Sequence, residues 1–257
     1  MGALHAGHAS LIERAVGEND LVAVSIFVNP TQFGPHEDFS AYPRDESADL
    51  AMCERLGAAM VFAPTVDEMY PAGDATRVQP GPIAARLEGA ARPGHFAGVA
   101  TVVTKLFAIV RPDVAYFGQK DFQQLRVVQT MSRDLHLGVR VVGCSTVRDP
   151  DGLAMSSRNR YLSADEHQTA LALSRSLRAA KDAWSRGDRD PTKLRDRVQR
   201  DTAVPGVALE YVSVADPLTL EELERPAERA VISVAARVGK ARLIDNVLLG
   251  IALEDVA

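Results

Sequence analysis

Two rhythms of apolar and polar positions divide this chain. Over the first 150 residues, short apolar runs alternate with stretches of helical period. Ser10 to Val16 reads as a helix, Leu21 to Val28 as a strand buried on both faces, and Asp49 to Leu56 as a helix closed by Gly57. Ala59 to Ala63 is a second short strand, ended by Pro64. Val99 to Val110 predicts a helix despite its valines, because it is too long for a strand and Arg111-Pro112 stops it. Val114 to Phe117 follows as a strand, Phe122 to Leu137 as a helix with Gly138 after it, and Val139 to Cys144 as another strand. Strands that alternate with helices imply right-handed crossovers and a parallel sheet, an α/β domain. Ligands of such sheets bind at the carboxyl ends of the strands, which gathers the loops after Val28, Phe117 and Cys144 around one site.

The remainder changes character. Ser163-Ala164-Asp165-Glu166 has capping-box spacing and opens a long helix to about Arg186. Gly187 and Pro191 separate it from a charged helix, Thr192 to Thr202. Strand-like runs cover Leu209 to Val214, Ala230 to Ala236 and Ala241 to Leu249, with Gly239-Lys240 marking a hairpin. The expected organisation is therefore an α/β domain over residues 1–150 and a smaller α+β domain over 151–257, with the boundary near 148–158.

Composition narrows the class of protein. A chain of 257 residues that is 46% hydrophobic and 25% charged has ample material for a buried core. Lys plus Arg total 29 against 34 Asp plus Glu, a net charge of −5, which argues against nucleic acid as the main partner. The longest apolar runs fall well short of the roughly 20 residues that span a bilayer, so no membrane partner is expected. Cys53 and Cys144 fit no metal-ligand spacing and read as buried thiols in a reducing compartment. No basic-then-apolar leader precedes the first motif, and the expected location is the cytoplasm.

Candidate chemistry begins at once. His5-Ala6-Gly7-His8 places two imidazoles at a helix start, where free N–H groups and positive potential favour phosphate. Alone, the motif is equally a pair of surface histidines at a helix cap, and a metal site lacks a third nearby ligand. Phe117-Gly118-Gln119-Lys120-Asp121 joins a strand to a helix and supplies a cation, although a solvated lysine in a capped turn has the same pattern. Met155-Ser156-Ser157-Arg158-Asn159 combines hydroxyls with a guanidinium, a set suited to polyphosphate or to a polar linker. Asn29-Pro30-Thr31-Gln32 closes a buried strand, where Asn29 and Gln32 suit a hydroxyl and a carboxylate, and Gln123-Gln124 could serve the same pocket. Asn-Pro also starts turns that bind nothing.

Taken together these blocks are more specific than any one of them. Met1 to His8, Ser25 to Phe33, Tyr42-Pro43-Arg44, Arg92 to Phe96, Phe117 to Asp121, Gly152 to Asn159 and Leu243-Ile244-Asp245-Asn246 resemble the pantothenate synthetase family in order and spacing, over essentially the whole chain. The resemblance implies a Rossmann-like nucleotidyltransferase fold and a homodimer. It implies condensation of (R)-pantoate with β-alanine through a pantoyl adenylate, with ATP consumed and AMP and diphosphate released. It further implies that His5 and His8 contact the ATP phosphates, with His8 the proton donor. Lys120 would bridge phosphate oxygens, and Ser156, Ser157 and Arg158 would hold the departing diphosphate. Met1, Gly2, Ala3, Leu4, Ala6, Gly7, Gly118, Gln119, Asp121, Val147 and Met155 would line the nucleotide pocket. Gln32 and Gln124 would bind pantoate, Gln32 also lying near β-alanine, with Asn29 and Tyr42 beside them and Asn29, Tyr42, Arg92 and His95 supporting the pocket or its lid. Magnesium would travel with ATP, with Asp49 as an outer ligand, and Phe33 to Asp45 would be the lid.

Two departures from the family accompany these expectations. Gln119 stands where the family usually has glutamate. The chain also opens directly on the first motif, without the family's first sheet strand, so the parallel sheet is expected to lack an inner strand. The rival readings are another nucleotidyltransferase with the same histidine motif and a truncated, inactive ATP-binding homologue.

Overall fold

The computed structural model describes residues 2–35, 39–40 and 42–256. It forms two compact units, Met1–Gly118 with Gln123–Cys144, and Gln119–Phe122 with Ser145–Ala257. The units part at residue 144 rather than 150, and the turn at 119–122 goes with the second.

In the first unit, α1 (Ala6–Glu18), β1 (Ala23–Ser25), α2 (Glu46–Arg55), β2 (Met60–Phe62), α3 (Val66–Met69), α4 (Glu88–Ala91), α5 (His95–Val110), β3 (Val114–Gly118), α6 (Phe122–Asp134) and β4 (Arg140–Cys144) follow in order. The parallel pairing has the predicted sense but is split. β1 pairs with β2 in the register Val24↔Val61, and β3 pairs with β4 in the register Tyr116↔Val142. Among the described residues no ladder joins the two pairs.

α1 is held to both. Its Ile12 packs with Leu4, Val24 and Cys53, while Arg14 Nη1 donates to the Gly143 carbonyl at 3.0 Å and Asn19 Nδ2 to the Tyr116 hydroxyl at 2.7 Å. One expectation fails here. The run Leu21 to Val28 is not buried on both faces: only Val24 of the three-residue strand is buried, and Leu21 is 81% exposed. Leu4, Ile12 and Cys53 pack with Val24, while Ala23 beside it in the strand is exposed.

The second unit is α+β. Ser163 caps α7 (Ala164–Ser185) in a reciprocal box with Glu166, and Asp190 caps α8 (Pro191–Thr202) by accepting from Thr192 N at 2.9 Å. Both helices pack on an antiparallel sheet in the order β5 (Val207–Ala215), β6 (Ala230–Val238), β7 (Ala241–Leu249). Leu171, Leu177, Leu194, Val198, Ile232 and Leu249 fill the interface between helices and sheet. Gly239 takes φ +54° in the tight β6–β7 turn, a conformation that costs glycine little.

No helix among the described residues is long and apolar enough to cross a membrane. Cys53 and Cys144 are buried and free, and burial pushes both thiols above the ordinary range, which keeps them protonated and unreactive.

Candidate active site

The loop that leads into the histidine motif is fixed from 45 residues away. Asp49, in the first turn of α2 and 3% exposed, accepts Ala3 N at 2.9 Å on one oxygen and Leu4 N at 2.6 Å on the other. Ala3 is held at φ +50°, a left-handed conformation that a side chain adopts only under constraint. Gly2 lies against Val28, whose Cγ2 is 3.1 Å from where a Cβ would stand. Asp49, expected as an outer magnesium ligand, thus braces the loop through both of its oxygens. Its carboxylate is buried and both oxygens are occupied by the loop.

His5 is the N-cap of α1 and His8 its third residue. Gly7 N donates to His5 Nδ1 at 3.1 Å, and His5 N donates to His8 Nδ1 at 3.3 Å, with the rings 4.1 Å apart. A neutral imidazole that accepts at Nδ1 carries its proton on Nε2. Both rings are thus set as Nε2–H donors at the positive end of a helix whose first turn holds no acidic residue. Ala6 and Gly7 contribute first-turn N–H groups to the same helix end.

After β1, Asn29 is 3% exposed and fully engaged. Its Oδ1 accepts from Thr31 Oγ1 at 2.9 Å and Tyr70 hydroxyl at 2.7 Å, and its Nδ2 donates to Gly98 O at 3.1 Å and Gln32 Oε1 at 3.2 Å. Asn29 thus supports Gln32 through its Nδ2. The Gln32 carbonyl is held too: His95 Nδ1 lies 2.8 Å from it and Arg92 Nη2 3.4 Å. A carbonyl only accepts and Arg92 Nη1, 3.1 Å from His95 Nε2, only donates, so the two neighbours fix the Nδ1–H tautomer of His95.

Gly98 lets α5 approach this turn. A Cβ there would lie 2.3 Å from Thr31 O and 2.8 Å from Gln32 Cα. Gly98→Ala is expected to cost about 1–3 kcal/mol through overpacking. A lowered Tm would check this.

Gln123 is also diverted from the pocket role expected of it. It is 5% exposed, donates to Ile83 O at 2.8 Å and Arg86 O at 2.7 Å, and accepts from Glu88 N at 2.9 Å. Gln124, beside it on α6, is half-buried. Gly118 ends β3 opposite Cys144. In the expected lid, Phe33 makes edge contacts with Phe39 and Tyr42 at 5.3 and 5.8 Å, and Arg44 lies 5.0 Å over the Phe39 ring. His36–Asp38 and Ala41 of that segment, and the predicted nucleotide contact Met1, lie outside the described residues.

The second unit carries the other predicted phosphate residues. Lys120 and Asp121 form an ion pair at 3.5 Å in the turn 119–121. The carbonyls of Gln119 and Lys120 each accept from Asn246 Nδ2 at 2.9 Å. Val147 O accepts Met155 N at 3.0 Å, closing the hairpin that carries Met155. Ser156 caps the short helix Ser157–Tyr161 by accepting Arg158 N at 3.3 Å, and Ser157 is 9% exposed.

Asp49, Asn246 and Asp245 are the groups whose parts the sequence did not disclose. No local pattern signals bonds that span from 45 to 127 residues of chain. Asp149, Asp151 and His167 also bring ligand atoms within 4.8 Å of one another, but none is a predicted site residue.

A family profile for pantoate-beta-alanine ligase matches residues 1–248. The pantothenate synthetase of Roseiflexus sp. (strain RS-1) is 55% identical over 250 residues, 97% of this chain and 90% of the relative. The crystal structure of pantothenate synthetase from Thermus thermophilus is similar with a TM-score of 0.93 at 49% identity, covering 96% of this chain and 90% of that one. That of pantoate-beta-alanine ligase from Francisella tularensis, complexed with beta-gamma ATP and beta-alanine, has a TM-score of 0.78 at 37% identity, covering 96% and 87%.

Proposed function

This chain belongs to the pantoate-beta-alanine ligase family, and from that premise we propose that it condenses (R)-pantoate with β-alanine at the expense of ATP. The match extends through the second unit, which favours this reading over another nucleotidyltransferase sharing only the histidine motif. A carboxylate does not acylate an amine at neutral pH, because the leaving group would be oxide. Attack of the pantoate carboxylate on the α-phosphorus of ATP expels diphosphate and leaves an acyl adenylate. The β-alanine amine then attacks the acyl carbon, and AMP departs with the bonding pair.

The observation that carries the site assignment is the paired Nε2–H donors of His5 and His8 at the start of α1. They donate hydrogen bonds to phosphate oxygens as negative charge gathers there. Gly2 to Gly7, Gly118, Gln119, Asp121, Val147 and Met155 surround the nucleotide. Lys120 bridges phosphate oxygens, while Ser156, Ser157 and Arg158 hold diphosphate, the guanidinium matching two oxygens at once. Gln32 and Gln124 orient pantoate, Tyr42 lies beside them, and Asn29, Arg92 and His95 hold Gln32 in place.

Magnesium enters as MgATP, since it is commonly held by substrate phosphates and waters. An adenylate exposed to water hydrolyses, which gives the 33–45 segment its use as a lid. The reading also carries a homodimer and a cytoplasmic setting, the latter in keeping with two free buried thiols.

AMP release from MgATP tests the assignment. It is expected to need both pantoate and β-alanine for sustained turnover. AMP formation indifferent to pantoate would refute it.

A further inference from the structure

We infer that Asn246 is a positioning residue for Lys120, fixing the lysine's backbone so that its ammonium group meets the phosphates. The inference rests on the reading of Lys120 as a phosphate-bridging cation. Asn246 lies on β7, is 4% exposed and pairs with Ser233 in the ladder. Its side chain turns wholly to one short turn. Nδ2 donates to Gln119 O and Lys120 O, both at 2.9 Å, and Oδ1 accepts from Gln119 Nε2 at 3.2 Å.

Those two carbonyls belong to the rigid peptide planes on either side of the Lys120 Cα. A residue has only two soft backbone dihedrals, so holding both flanking planes holds φ and ψ of Lys120 together. The flexible four-carbon stem then swings from a fixed root.

The two carbonyls also settle which end of the Asn246 amide is which. They accept only, so the amino group must face them and Oδ1 must face Gln119. Gln119 can donate to that oxygen. A glutamate there would set a second acceptor against it.

Asn246 is itself fixed by its neighbour. Asp245, 4% exposed, receives the Arg148 guanidinium at 2.7 and 2.9 Å and accepts Asn246 N at 2.8 Å. Arg148 also donates to Gly152 O at 3.2 Å, within the hairpin that leads to Ser156–Arg158. Successive strand residues point to opposite faces, so this pair grips two separate stretches from one strand.

The test is a double-mutant cycle on the full chain. kcat and KM are measured by pantoate-dependent exchange of labelled pyrophosphate into MgATP. Asn246→Asp replaces the double donor by an acceptor of the same shape. It is expected to lower kcat about 10- to 100-fold, the scale of a roughly 1 Å misplacement, with the pantoate KM unchanged. In a Lys120→Ala background the same substitution should cost almost nothing further, because the group it positions is gone. Arg242→Ala, on the same strand and facing Glu210 at 2.8 Å, should keep the parent kcat.

A full repeat of the loss in the Lys120→Ala background, or no loss in the parent, overturns the inference. A Lys120→Ala enzyme as fast as the parent instead removes the phosphate-bridging reading, and the clamp's purpose with it. If the buried carboxylate prevents folding, Asn246→Ala takes its place in the same cycle with the same criteria.

Discussion

His8→Ala and Lys120→Ala are each expected to slow adenylation by about two to three orders of magnitude while the protein stays folded. The lysine estimate follows from the first step. Charge builds on the α-phosphoryl oxygens and on diphosphate, and a cation fixed at that position stabilises the transition state more than the ground state. A single preorganised donor of this kind is worth about 10²–10³ in kcat. His8 places an Nε2–H donor on the same developing charge and falls on the same scale. Little stability is at stake for Lys120, whose ion-pair partner Asp121 is half exposed. His8→Ala removes an acceptor for His5 N and a ring contact, a loss of about 1 kcal/mol. Single-turnover formation of the adenylate, followed beside circular dichroism, separates chemistry from folding. Parent-like rates in well-folded variants would show that these residues are not the phosphate machinery. Lys120→Arg should not restore activity, because a planar fork does not replace a point charge on a flexible stem.

Local rules made most of the fold legible. Ser163 and Glu166 mark the start of α7, Pro191 that of α8, and Gly239-Lys240 the β6–β7 hairpin, because caps and turns are decided by neighbouring residues. Periodicity also found α5 despite its valines, although the helix begins at His95 rather than Val99. Burial was less legible. Leu21 to Val28 is apolar enough for a strand covered on both faces, yet which faces are covered depends on partners elsewhere in the chain. Short α3 was missed although Thr65 and Glu68 form a capping box, since one turn of helix leaves no periodicity to read.

The site divides in a similar way. The groups proposed for substrate stand in compact motifs: His5, His8, Gln32, Lys120, Ser156 and Arg158. Several groups that brace these motifs are not marked by any local pattern. Asn29 was expected beside pantoate or as a support of the pocket, and both ends of its amide are bonded within the protein. Gln123 was paired with Gln124, yet helix geometry turns adjacent residues about 100° apart, and Gln123 faces the interior. Long-range hydrogen bonds thus turn three motifs into aimed side chains. A polar residue read from sequence needs its partners before it can be assigned to substrate or to scaffold.

Asp49 puts that distinction to its sharpest test. A carboxylate that ligates magnesium and one that braces a loop predict different failures. As a brace, Asp49→Ala leaves the Ala3 and Leu4 N–H groups without their charged acceptor in a buried setting, at about 1–3 kcal/mol for each. Ala3 at φ +50° then loses the bond that holds it, and the loop relaxes toward an ordinary backbone. His5 and His8 follow, because His5 caps α1 directly after Leu4. The expected result is a Tm lower by several degrees and adenylation slowed at least about 100-fold, with neither restored by raising magnesium. Asp49→Asn keeps one acceptor for two donors and should fall between parent and alanine in both measurements. A ligand role would show itself differently, as a steeper magnesium requirement at unchanged Tm, with activity recovered at high magnesium. Titrating magnesium against Tm and rate in these two variants decides between brace and ligand.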